Sequence, residues 1–353
     1  MAHGDITRFI DVGSEFATRA QLRRGVTIVP GSGYDGEFYY RLALDPANLH
    51  WSAFGIRMDN AYRMQRITYS VLAFAAAGGR ADLVPYSLVA VNIFSLAALA
   101  WLGAMVARDC GRRAAWGLLV VGYSGFLFTL GRDLTEICEA SLLVAALLLL
   151  RRGWPVAAGI ALCGAVLSRE TALLVVAGAF LVFVADVLRG RRRPGRSDAV
   201  WALPLGAYVG WQLVGWGLLG SIPLHSDSDN NLTYPFTSMV QALTDNVEQL
   251  PSEHALVWLL ELAVLAIVVG AAAFRLRASR ARPVEKCSWM LSVVLAVFLS
   301  RTLWDSHADF RGFEDLYVLS CFVLLDSDAK LRAVGLLVAA LWVVTFVHRV
   351  LYF

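Results

Sequence analysis

Asp35 and Glu37 stand two residues apart in the stretch GYDGEFYYRLALDP, residues 33–46. Gly33 and Gly36 flank the aspartate and let the backbone turn tightly there. Carboxylates at i and i+2 suit a general base with a neighbour that orients it or holds a metal ion. Tyr34, Phe38, Tyr39 and Tyr40 crowd around the pair. Their flat faces suit a sugar ring or a prenyl chain, and Arg41 adds a donor for an anion. The plainer alternative is a solvated turn beside an aromatic belt at a membrane surface.

Three further clusters carry polar side chains where apolar runs surround them. In GRDLTEICEA (131–140), Asp133, Glu136 and Glu139 follow helical spacing and so share a face. Acids entering a membrane helix are expensive and face a cavity or a partner. Their other reading, as complements to a helix dipole, suits Asp133 better than Glu139. In SRET (168–171), Arg169 and Glu170 are adjacent and could pair with each other or cap the turn. In SRTLWDSHADFRGFED (300–315) stand Arg301, His307, Asp309, Arg311, Glu314 and Asp315. A guanidinium fork matches phosphate or carboxylate, so Arg132, Arg169, Arg301 and Arg311 are candidates for an anionic ligand. Ion pairs with the nearby acids are the competing reading. A lone loop histidine such as His307 is expected to be solvated, and no metal ligand set is assigned. No cofactor is called for, a divalent cation at the acids apart. The chain has no HExxH, Walker loop or GxSxG, and no GxGxxG in the right context, so ATP-driven transport and triad hydrolysis lack support.

The elements that must position these residues are membrane helices. Of 353 residues 58% are hydrophobic and 17% charged, and the mean hydropathy is +0.59. That is more apolar and less charged than a soluble domain. The excess is uneven: runs near spanning length alternate with short Arg-rich breaks. The chain therefore reads as an all-α, polytopic membrane bundle. About ten spans are expected after residue 80, at 84–107, 114–131, 134–150, 154–168, 171–188, 200–220, 255–274, 286–303, 313–326 and 332–352. Several are short for a straight crossing and imply tilted or buried helices. Neither an internal repeat nor broken helices are visible.

Orientation follows from the breaks. Alternate loops (108–113, 151–153, 189–196, 275–286 and 326–332) hold 17 Arg and Lys. The opposite face holds five: Arg132, Arg169, Arg301, Arg311 and Arg349. Basic loops stay cytoplasmic, which makes the second face external and 221–254 an external loop. The net charge of +3 is too small to suggest nucleic acid, because the basic residues sit where topology places them. The five cysteines are scattered, with no CxxC pair, and read as small buried thiols. Only Lys286 and Lys330 are lysine among 31 basic residues, a usage that suits a GC-rich bacterium.

Residues 1–60 contain no span, and the apolar run 67–79 is 13 residues long between Arg66 and Arg80. Two arrangements are open. If the run lies in the interface, residues 1–80 are external; if it crosses, residues 1–60 are cytoplasmic. Its length favours the first and the nine arginines of 1–80 favour the second.

The order of these motifs resembles the GT-C superfamily of membrane glycosyltransferases, especially its bacterial mannosyltransferase-like members. YDGEFYYRLALDP is followed by RMQRITYSVLAF (63–74), a helix ending in RDCGRR, a turn with RDLTE and the SRET turn. The resemblance covers most of the first half, and the second half matches only in hydropathy. It implies transfer of a sugar, of mannose or arabinose type, from a polyprenyl-phosphate carrier to a cell-envelope glycan, lipid or protein acceptor. The bilayer is then also a partner, and the reaction inverts the sugar at the external face of a bacterial inner membrane. The essential acid of the family's first external loop maps onto Asp35, and a second acidic position onto Asp133. Glu37 is the runner-up base. Arg132, Arg169, Arg301 and Arg311, with Tyr39, Tyr40, Arg41 and Glu170, are the expected phosphate and substrate contacts. The resemblance favours an external segment 1–80 ahead of a transmembrane domain 81–353, and a helix upstream of Met1. Two other readings are a lipid-linked sugar flippase or transporter, and an O-antigen-type polymerase or ligase with its chemistry in 221–254.

Overall fold

This computed structural model describes residues 4–193, 195–226, 231–304 and 310–352. In the N-terminal segment, β1 (Val12–Gly13) pairs in parallel with β2 (Ile28–Val29), and β3 (Ser52–Ala53) pairs antiparallel with β4 (Ile56–Arg57). Two helices follow these loops, α1 (Gly36–Leu44) and α2 (Ile67–Ala76). Every residue of α1 is buried, as its apolar and aromatic side chains on all faces require. Helix α2 has 10 residues and rises about 15 Å, half of a hydrocarbon core.

The bundle begins with α3 (Val84–Asp109), whose 26 residues rise about 39 Å. Its outward face carries Ile93, Phe94 and Trp101, each more than half exposed, the composition of a lipid-facing surface. Then come α4 (Leu118–Val121), α5 (Gly125–Gly131), α6 (Glu136–Arg151), α7 (Pro155–Ser168), α8 (Leu173–Leu188) and α9 (Ala202–Leu219). The second half holds α10 (Thr237–Glu248), α11 (Glu253–Arg275), α12 (Pro283–Phe298), α13 (Arg301–Trp304), α14 (Glu314–Leu325) and α15 (Arg332–Tyr352). The chain is thus a helical membrane protein.

The expected ten spans are not all matched by spanning helices. Among the described residues three helices are long and apolar enough to cross a membrane: Val84–Asp109, Glu170–Leu188 and Glu253–Arg275. The expected span 114–131 is broken into two pieces bent by 64°, and would be a fourth if counted as one. Gly122 marks the break. A Cβ there would lie 2.3 Å from Val338 Cγ1 and 3.3 Å from the Tyr317 hydroxyl, so a bare backbone lets α14 and α15 close in. Helix α14, inside the expected span 313–326, is buried along all 12 residues. It is the axis of the core, and hydropathy alone does not separate a helix wrapped in protein from one wrapped in lipid. The stretch 221–254 contains α10, and its residues 231–236 pair with 297–300 through bonds such as Thr233 N–H to Phe298 O (2.8 Å).

One apolar cluster joins α6, α11 and α14 through Leu143, Leu147, Val268, Val318 and Phe322. A second seats the N-terminal segment on the bundle, packing Ile10, Tyr39, Leu42, Ile56 and Tyr69 against Val84 and Leu88 of α3 and Leu134. Polar pins fix its register. The Tyr69 hydroxyl donates to Leu88 O (2.9 Å), and Asn92 Nδ2 donates to both Tyr69 Oη (2.9 Å) and Leu134 O (3.1 Å). All five cysteines are free.

Gly36 is a point where three stretches of chain meet. A Cβ on it would sit 2.4 Å from Arg132 O and 2.7 Å from Ile10 O. Both neighbours are backbone and cannot swing aside. Gly36→Ala is therefore expected to destabilise the fold by about 1–3 kcal/mol, the cost of overpacking a close-packed site. Thermal unfolding of the detergent-solubilised protein reads it as a lowered midpoint; an unchanged midpoint would show that the contact relaxes freely.

Candidate active site

Four segments that are remote in sequence meet at one end of the bundle. They are the start of α1, the 3-10 turn Ala61–Gln65 with Arg66, the turn between α7 and α8, and the loop before α14. Together they line a cavity of about 520 Å³. Its charged end is made by Asp35, Arg63, Arg66, Arg169, Glu170 and Arg311. Its other walls are apolar and include Leu173, Leu174, Leu295 and Leu299. The charged lining has four arginines against two carboxylates, an excess of two positive charges (4 − 2).

Asp35 is the centre of this end. Its Oδ1 lies 2.8 Å from Arg63 Nη1 and its Oδ2 lies 2.9 Å from Arg311 Nη2. Burial by itself would raise the carboxyl pKa. The guanidiniums of Arg63 and Arg311, with Arg66 behind them, outweigh burial and hold it well below the usual carboxylate range. The arginines are themselves positioned. Arg63 is also held by Asp59 at 3.0 Å and stacks over Phe38. Arg311 stacks over the Tyr34 ring, 5.0 Å from its centroid. Burial pushes the Tyr34 phenol up to about 12, with the Arg311 charge opposing, so it stays a neutral donor.

Arg169 and Glu170 do not pair with each other. Arg169 has extended backbone (φ −158°, ψ 134°), so successive side chains leave on opposite sides. Arg169 bonds Glu136 at 3.0 Å and Glu314 on one side. Glu170 faces the other way and accepts from Arg66 Nη2 (2.7 Å), Arg66 Nε (3.1 Å) and the Tyr62 hydroxyl. Arg311 Nη1 lies 3.6 Å from Glu136, which closes the network. Behind it, Glu139, Glu314 and Asp315 bring carboxylate oxygens within 4.8 Å of one another, all buried. These three are the described acids whose spacing could hold a cation.

The remaining candidates lie elsewhere. Glu37 is fully buried outside the cavity, and its Oε2 accepts the Gly13 N–H at 3.1 Å. Asp133 is not on the helical face expected for it. It precedes α6 in a left-handed conformation (φ 49°) and is fully buried away from the cavity. Tyr39 and Tyr40 are core residues, and the buried Arg41 donates to His50 O. Arg132 pairs with Asp11 and lies 5.6 Å from the centroid of the Tyr34 ring, and Arg301 pairs with Asp245 of α10. Neither lines the cavity, and the acid that engages each lies outside it. His307 and Asp309 lie outside the described residues. Sequence reasoning passed over Arg63, Arg66 and Tyr62. Arg63 and Arg66 are three apart at the mouth of an apolar helix, which puts both on one face and was the available signal.

The chain matches no family model and no curated protein. Among solved structures it resembles ArnT from Cupriavidus metallidurans, a structure bound to undecaprenyl phosphate. The TM-score is 0.55 at 14% identity; the match covers 96% of this chain and 61% of that one. The likeness is one of fold. The chain spans less than two thirds of the ArnT length.

Glu37 sets a pH dependence. Burial pushes its carboxyl up to about 8, the Gly13 N–H opposes this, and the charges of Asp59, Asp11 and Asp35 add to the rise. A raised folded-state value favours the protonated form. The resulting stability is full below the unfolded value of 4.5 and is lost as pH rises through about 8. Glu37→Gln stays neutral, so its unfolding midpoint is expected to fall less than that of the parent protein between pH 5 and pH 9. Parallel profiles would show that Glu37 does not titrate in the fold.

Proposed function

We propose that the protein is a membrane glycosyltransferase that moves a sugar from a polyprenyl-phosphate carrier to an acceptor hydroxyl. What carries the reading is the composition of the 520 Å³ cavity: an arginine-rich end around one carboxylate, continuous with leucine walls. A lipid-linked sugar phosphate has the same two halves. The likeness in fold to a protein seen with undecaprenyl phosphate supports the same ligand class.

The chemistry follows from the groups present. A polyprenyl phosphate is a stable anion and leaves without prior protonation. Arg63, Arg66, Arg169 and Arg311 offer fixed donors for the charge that develops on it. The acceptor oxygen attacks the anomeric carbon from the face opposite the phosphate. The new C–O bond forms as the bond to the phosphate oxygen breaks, and the anomeric centre inverts. Asp35 takes the acceptor proton. Its two guanidinium partners hold it ionised but weakly basic before a donor binds. A donor phosphate competes for the same N–H groups and lets the carboxylate's basicity rise when it is needed. Within the reading, the sugar is of mannose or arabinose type, the acceptor is an envelope glycan, lipid or protein, and the cavity faces outward from a bacterial inner membrane.

A transporter is the main rival, and the broken pair α4–α5 is a feature that transporters share. The break, however, packs on Val338 and Tyr317 and does not line the cavity.

Two experiments test the reading. Asp35→Asn keeps the shape and removes the base, and is expected to lower sugar transfer from a polyprenyl-phosphate donor by roughly 10²–10⁴-fold. Near-normal turnover with intact folding and donor binding would eliminate Asp35, and a selective loss in Glu37→Gln would move the role there. For orientation, cysteines placed at Gln241 and Arg191 are to be probed in intact cells with a membrane-impermeant thiol reagent. Labelling at 241 alone is expected; labelling at 191 alone would invert the topology.

A further inference from the structure

We propose that a second, separate cavity, between the N-terminal segment and the start of α3, is an anion site for a phosphate group, carried by a phospholipid headgroup or free in solution. The cavity has a volume of about 300 Å³ and shares no lining residue with the transfer cavity. Arg23, Arg24 and Tyr40 contribute donors to its wall, and Ala81, Pro85 and Tyr86 form its floor.

Three observations point to an anion. Tyr40 is fully buried, and its hydroxyl has no hydrogen-bond partner. An unpaired buried hydroxyl is costly, and a ligand oxygen accepting from it would remove that cost. Arg23, whose charge acts on that hydroxyl, and Arg24 make no ion pair among the described residues. The acids on the same wall are already engaged. Asp5 accepts from Thr7 N (2.9 Å), the Thr7 hydroxyl (2.7 Å) and Thr27, while Asp82 is held by Arg80 at 2.8 Å. The wall therefore sets two arginines against two carboxylates whose oxygens are already hydrogen-bonded, which leaves Arg23, Arg24 and the Tyr40 hydroxyl as its available donors.

The third observation is location. Pro85 and Tyr86 of the floor belong to the first turn of a 26-residue helix, so the positive end of its dipole lies beside the cavity. The exposed Leu83 and Tyr86 mark that turn as interfacial, ahead of the lipid-facing Phe94 and Trp101. Headgroup phosphates lie at this depth. A neighbouring cavity of about 460 Å³ shares Gly25 and Val26 with the first and adds Arg19, which donates to Val26 O at 3.0 Å.

The test uses the full chain purified in detergent and supplied with phosphatidylglycerol or phosphatidylcholine, with bound lipid counted by native mass spectrometry. Preferential retention of phosphatidylglycerol is expected. Arg23→Ala with Arg24→Ala should weaken it roughly 25-fold, about fivefold for each arginine at a membrane surface. Tyr40→Phe keeps the ring packing and should weaken it by a smaller factor. Sugar transfer in detergent should be unchanged in the double variant. Inorganic phosphate separates the sources. Displacement of the lipid by millimolar phosphate supports recognition of the phosphate itself, and retention despite phosphate supports a headgroup site. Phosphate-dependent thermal stabilisation without lipid preference, lost in the double variant, supports a free-anion site. Equal retention of both lipids, with no phosphate effect or the same behaviour in the double variant, overturns the proposal.

Discussion

Asp35 is gripped by two guanidiniums from later in the chain, Arg63 from the 3-10 turn Ala61–Gln65 and Arg311 from 276 residues away. A carboxylate this deeply buried is tolerated only when it is paired. The pairing does not stop there. Arg311 approaches Glu136, Glu136 takes Arg169, and Arg169 bonds Glu314, while Glu170 turns back to Arg66 and Tyr62. Five pieces of backbone are tied into one ionic network: the mouth of α1, the stretch 62–66, the start of α6, the α7–α8 turn and the start of α14. Removing one member leaves its neighbours buried and uncompensated, a loss on the order of 3–5 kcal/mol. The position of the cavity is therefore a property of the network as a whole, which no single loop sets.

Much of this was legible in the residues alone. The apolar runs of α3, α8 and α11 are long enough that no other environment suits them, and the glycine-flanked Asp35 among aromatics stood out as chemistry. Arg169 and Arg311 were recognisable because a basic residue away from the basic loops needs an acidic or anionic partner. Other features were hidden for physical reasons. Adjacent Arg169 and Glu170 invite a local pair, and only the extended backbone at 169 separates them. Asp133 is in phase with Glu136 and Glu139, but α6 begins at Glu136, so the helical phase does not apply to it. Arg132 and Arg301 have the same type and apparent side as Arg169 and Arg311. All four pair with acids, but the partners of Arg132 and Arg301 are Asp11 and Asp245, which do not line the cavity, a matter of tertiary position. The run 313–326 has the hydropathy of a span yet forms the buried axis α14, because burial by lipid and burial by protein make the same demand on composition.

The proposed reading places two requirements on Asp35 that pull against each other. It must be ionised and oriented before an acceptor arrives, and it must be basic when the acceptor is in place. Arg63 and Arg311 satisfy the first requirement and oppose the second, since the charges that hold the carboxylate also depress its proton affinity. A protein without a substrate anion is left with this compromise. A donor phosphate resolves it, because a guanidinium carries five N–H donors and can turn part of its fork to a new anion. The negative charge brought by the phosphate then raises the affinity of Asp35 for a proton at the moment the leaving group is seated. Glu37 cannot take over this part. It is raised by burial, bonded to Gly13 and walled off from the cavity, so it is protonated where a base is needed and distant where contact is needed. The arginine network would then do two jobs with one set of contacts, holding the unliganded site together and coupling donor binding to the basicity of the residue that must act next.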